Sequence, residues 1–128
     1  MSTFTPLERS AIAAITDETV EQFAILKEQL TLIRVLSREN TGGGFFTELA
    51  VMPSADRLNL KTEPLGQNVY IAINGLEYGL GMILHLKDGY ANLLEGYSVG
   101  GEDTSAIDFA HVSYALISEP GPLPTSVC

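Results

Sequence analysis

The stretch VYIAINGLEYGLGMILHLKDGYANLLEGY, residues 69–97, decides the fold. Asn74-Gly75 and Asp88-Gly89 are two-residue loops of the kind that takes positive φ at both central positions and joins antiparallel strands. Each loop sets a register. Across the first, Ile73 faces Leu76, Ile71 faces Tyr78 and Val69 faces Leu80. Across the second, Lys87 faces Tyr90, Leu86 faces Ala91, Leu84 faces Leu93, Met82 faces Glu95 and Leu80 faces Tyr97. One face then reads Val69, Ile71, Ile73, Leu76, Tyr78, Leu80, Met82, Leu84, Leu86, Ala91, Leu93, Glu95 and Tyr97. It is apolar enough to be the core face, and Glu95 is its one carboxylate.

A carboxylate on that face loses water, so its pKa rises unless a cation or hydrogen-bond donors meet it. Arg34, Arg38, Tyr78 and Tyr97 are the partners available by type. Two readings follow. Glu95 is either a proton-handling acid in a pocket between sheet and helices, or a paired glutamate tying the sheet to the Arg38 segment. The opposite face carries Tyr70, Ile83, His85 and Leu94 among glycines. There Gly81 lies opposite Gly96, and Gly79 opposite Tyr70. Bare backbone of this kind makes a groove for a partner's chain or a flat ligand, or marks a bend or bulge with Tyr70 lying over Gly79. Tyr70, Ile83 and Leu94 would form a modest apolar patch suited to a dimer or partner surface.

Outward from this stretch, the N-terminal part reads as helical. Thr5-Pro6-Leu7-Glu8 is a capping box with proline in the first turn. Leu7, Ala11, Ala14 and Ile15 follow at helical spacing. A second helix buries Val20, Phe23, Leu26 and Leu30. Residues 31–36 either extend that helix, since Ile33 continues its spacing, or form a strand; Thr31, Ile33 and Val35 are β-branched and a flexible loop follows Glu39, so a strand is expected there. Phe45 to Met52 is a further strand, stopped by Pro53. Leu58 and Leu60 mark a short one. Ile107 to Ile117 reads as a last strand, with Ala110, Val112, Tyr114 and Leu116 on one face. Helices first and strands after, with short connections, predict an α+β domain. Two N-terminal helices pack on one face of a mainly antiparallel sheet of about six or seven strands. The domain spans residues 1–117, followed by an irregular proline-bearing tail over 118–128.

Composition bounds the function classes. The 128 residues hold sixteen acids against seven Lys and Arg, for a net charge of −9. The basic residues Arg9, Arg34 and Arg38 are scattered rather than striped, which argues against nucleic acid or an anionic membrane as partner. No run approaches the roughly 18 apolar residues of a membrane helix, and the N-terminus shows no signal-peptide pattern. A cytoplasmic location is expected. The single cysteine, Cys128, allows no internal disulfide. Asp108 and His111, with Glu102 and Asp103 in the preceding loop, are the candidate cation ligands, but the chain is too poor in His and Cys for zinc and the acids are wrongly spaced for an EF-hand, so neither metal nor cofactor is expected. Gly42-Gly43-Gly44 lacks the Gly-Lys-Ser/Thr of a phosphate loop and enters a strand, so it reads as a hairpin loop.

Ser37 to Thr47 (SRENTGGGFFT), Gly75 to Gly81 (GLEYGLG), the Lys-Asp-Gly turn and Leu94 to Tyr97 (LEGY) resemble a family of small, uncharacterised bacterial proteins. The resemblance implies a bacterial, cytosolic setting and transfers no catalytic role. Two function classes stand on the residues. The first is a non-catalytic interaction module of immunity or regulatory type, forming a homodimer or binding a protein partner through its sheet face. The second is a small-ligand-binding protein or enzyme with a pocket between helices and sheet, using Glu95 as acid or base. Whether the chain is an enzyme stays open at this level. The binding residues expected are Arg38, Glu95, Tyr97, Tyr70, Gly79, Gly81 and Gly96.

Overall fold

The structure is a computed structural model and describes residues 4–18, 23–58, 64–66 and 68–124. Val20, Leu60 and Cys128 lie outside the described residues. Two helices, α1 (Pro6–Glu18) and α2 (Phe23–Thr31), precede six strands. These are β1 (Ile33–Asn40), β2 (Gly44–Val51), β3 (Tyr70–Ile73), β4 (Leu80–Lys87), β5 (Tyr90–Ser98) and β6 (Tyr114–Ile117). They form one antiparallel sheet in the order β1-β2-β5-β4-β3-β6. The α+β class, the N-terminal helices and the six strands are as the sequence predicts.

The capping box forms as written. Thr5 N–H donates to Glu8 Oε1 at 2.8 Å, and Glu8 N–H donates to Thr5 Oγ1 at 3.2 Å. Leu7, Ala11 and Ile15 of α1 and Leu26 of α2 are buried against Ile71, Leu80, Met82, Leu84 and Leu94 of the sheet. Both helices therefore sit on one face. Residues 33–40 are strand, resolving the helix-or-strand ambiguity toward strand, although Thr31 still belongs to α2.

The two hairpins differ. Asp88 and Gly89 both take positive φ (53° and 83°), and Lys87 pairs with Tyr90 as predicted. At Asn74-Gly75 only Gly75 is positive, and Leu76 N–H closes the turn onto Ile73 C=O. A turn of that hand splays its strands. The chain runs on through residues 77–79 before pairing, so Ile71 faces Leu80 and Tyr70 faces Gly81. Tyr78, expected in the core, is 46% exposed.

The larger correction lies in β5. After Leu86↔Ala91 the ladder resumes at His85↔Leu93, with Leu84↔Leu94, Ile83↔Glu95, Met82↔Gly96 and Gly81↔Tyr97. Asn92 is the extra residue of a β-bulge. One residue of slip turns every later side chain to the other face. Leu94 is fully buried, and Leu93, Glu95 and Tyr97 move to the face without helices. The physical reason is the cost of desolvating a carboxylate, several kcal/mol if unpaired, whereas exchanging Leu93 for Leu94 inside costs little. Gln29, itself fully buried, holds the bulge: its Oε1 accepts Ala91 N–H at 2.9 Å, and its Nε2 donates to Gly89 and Asp56 carbonyls at 2.8 Å.

The last strand is shorter than predicted. Residues 107–113 hold one turn at 109–111 in irregular chain, and only Tyr114–Ile117 pairs, alongside β3. Leu116 is half exposed rather than buried. Leu58 is buried but lies outside any strand.

Candidate functional site

The helix-free face is built from alternate residues of five strands. Register places Phe46, Glu95 and Ile83 side by side in one row, Leu93 and His85 in the next, and Tyr97, Gly81, Tyr70 and Ile117 in a third. Phe46, Tyr70, Ile83, Leu93, Tyr97 and Ile117 are each partly exposed. The Tyr97 ring packs over Gly81, where any Cβ would strike it. This is the bare backbone the sequence pointed to, but the tyrosine filling it is Tyr97, not Tyr70 over Gly79.

Glu95 meets His85 at the centre of this face, with Glu95 Oε1 and His85 Nε2 2.8 Å apart. The two side chains are 26% and 36% exposed. Burial, with Tyr70 and Glu95 nearby, pushes the Tyr97 phenol above its ordinary pKa. The structure thus brings together Glu95, Tyr97, Tyr70 and Gly81 among the predicted residues. Arg38 is on the other face, opposite Thr47. Gly96 lies on the helix side, covered by the Phe45 ring. Gly79 sits in the β3–β4 connection at φ 72°.

The buried acid exists, but it is Glu8. It is 2% exposed. Arg38 donates to both its oxygens, Nε to Oε2 and NH2 to Oε1, each at 2.9 Å. Thr47 Oγ1 donates to Oε2 at 2.6 Å. Burial pushes the Glu8 carboxyl up, but the hydrogen bonds from Arg38, Thr47 and Thr5 outweigh it and hold the carboxyl below its ordinary range. Such a saturated carboxylate holds structure rather than moving protons. Beside the pair is a cleft of about 230 Å³, where Leu7, Phe45, Ile107 and Phe109 meet Thr5, Glu39, Asn40 and Asp108. The Phe45 and Phe109 rings stand 4.9 Å apart.

The glycine loop is anchored, and its amides are spent. Gly42 N–H goes to Asn40 Oδ1, Gly43 N–H to Thr41 Oγ1 and Gly44 N–H to the buried Thr104 Oγ1. Asn40 in turn donates to the Thr104 and Ile107 carbonyls. The 102–111 acids serve local geometry. Glu102 accepts the Glu77 and Tyr78 amides, Asp103 accepts from Ser105, and Asp108 meets His111 at 2.8 Å. Among the described residues no group of three His, Cys, Asp or Glu is placed to hold a metal, and no helix is long and apolar enough to cross a membrane. No family model, curated protein or solved structure matches the chain.

Sequence reasoning missed Glu8 as a buried acid, Gln29 and Thr104. Glu8 was legible as a cap only, because Arg38 and Thr47 are distant in the chain. The bulge did leave a signal: the doubled Leu93-Leu94 breaks strict alternation just before the acid.

Proposed function

We propose that this protein is a non-catalytic interaction module that binds a protein partner through the helix-free face of its sheet. The observation that carries the reading is that face itself. Among the described residues both helices pack on the opposite side, while Phe46, Tyr70, Ile83, Leu93 and Tyr97 surround the His85–Glu95 pair with partial exposure. Contiguous apolar and aromatic surface with a polar centre is the composition of partner-binding patches. The same proposal sets the protein in the bacterial cytoplasm, as its resemblance implies.

Two placements favour this reading over a pocket enzyme with Glu95 as acid or base. Glu95 is on the side away from the helices, and the acid that does lie beneath them, Glu8, has its oxygens filled.

The test is site-specific photo-cross-linking in cells. A benzophenone side chain at Tyr70 or Leu93 is expected to give one discrete adduct. The same group at Ala13, exposed on α1, is expected to give none. Equal labelling from both faces, or none from Tyr70 and Leu93, contradicts the proposal.

A further inference from the structure

We propose that β1 is a self-pairing edge: two copies of this chain join their β1 strands antiparallel about a two-fold axis, with Arg34 of each copy facing Glu39 of the other. β1 ends the strand order, with β2 on one side and no strand on the other among the described residues. All of its residues but Val35 and Ile33 are exposed. A long unpaired edge offers a row of backbone donors and acceptors, and strand addition is a recurrent mode of association. The opposite edge, β6, is only four residues long and runs into Ser118-Glu119-Pro120, a blunted end.

The bulge between Val35 and Ser37 selects a second copy as the occupant. In a regular strand, positions 34 and 39 fall on opposite faces. Here Arg34 pairs with Ala50 and Glu39 with Phe46, two positions on the same face of β2. The bulge has turned the arginine and the glutamate to one side, one on each flank of it. A two-fold axis through the bulge then sets each arginine against the other copy's glutamate, two opposite-charge contacts from one symmetric operation. Leu36, 52% exposed at the bulge, falls next to the axis, opposite Ser37 of the other copy. The core-side positions are compatible, because Val35 then faces Arg38 of the other copy and no like charges meet. The pairing joins two helix-free faces into one continuous surface, yet it does not depend on what that surface binds.

The experiment is sedimentation equilibrium at concentrations used for NMR, with circular dichroism as a fold check. Wild type is expected to dimerise. Arg34→Glu or Glu39→Arg alone creates two like-charge contacts and is expected to weaken the dimer roughly tenfold or more. An equimolar mixture of these two variants re-creates both opposite-charge contacts and is expected to dimerise again, as is the double variant. Leu36→Lys, at an exposed position, is expected to weaken the dimer without touching the charge pairs. A monomeric wild type, unaffected single variants or a mixture that stays monomeric overturns the proposal. So does a dimer that survives every edge variant and is lost with Leu93→Glu, since the contact would then lie on the sheet face.

Discussion

Glu8 combines two roles in one side chain. It closes the first turn of α1 through Thr5 and ties that helix to β1 and β2 through Arg38 and Thr47. Removing one member of a buried ion pair costs more than the pair contributes, because the survivor is left without compensation. Arg38→Ala is expected to destabilise the protein by about 2–3 kcal/mol, below the full penalty because Arg38 keeps contact with water. Glu8 is held below its ordinary carboxyl range in the folded state. A depressed acid contributes stability that is present above its unfolded pKa and lost as pH falls through the folded one. Wild-type stability should therefore decline on acidification below the ordinary carboxylate range. Glu8→Gln, less stable at neutral pH, should show a shallower acid limb. Urea unfolding at stepped pH reads both. The capping half of this residue was visible in the spacing of Thr5 and Glu8. The ion pair was not, because it depends on how the helix lies over the sheet.

Among the elements, β5 decides which residues the helix-free face presents. Strict alternation after Asp88-Gly89 would bury Leu93, Glu95 and Tyr97. The bulge at Asn92 instead buries Leu94 and leaves Glu95 beside His85. A turn motif fixes register only as far as the first irregularity, and local sequence weighs poorly against the cost of dehydrating a carboxylate. The first hairpin fails for a different reason. Asn74 does not take positive φ, so the turn closes with the hand that splays its strands, and pairing starts only farther along the chain. Deleting Asn92 separates the two ladders for β5. With the bulge, deletion regularises the strand and leaves every later residue on its present face, at an expected cost of about 1–2 kcal/mol. Without the bulge, the same deletion would turn Leu93, Glu95 and Tyr97 over and unfold the domain. Thermal unfolding of the deletion variant distinguishes the two.

For the whole molecule, the order of helices and short-looped strands was enough to predict the α+β class and the layer arrangement. Which face each residue of β5 occupies was not legible, and the candidate surface turned on that. Tyr70, Gly81 and Ile83 were placed on the outer face by alternation and are found there. Leu94 exchanged with Leu93, and Glu95 and Tyr97 joined the outer face. The net charge of −9 adds a general field that favours a partner carrying positive charge at the rim of this surface. The binding proposal depends on the bulged ladder turning Glu95 outward. Nuclear Overhauser contacts across β4 and β5 test that most directly. Leu94 methyl contacts to Leu84 and Thr47 are expected, with the Glu95 side chain next to the His85 ring. Glu95 contacts to Met82 among the core methyls, with Leu94 facing solvent, would contradict it.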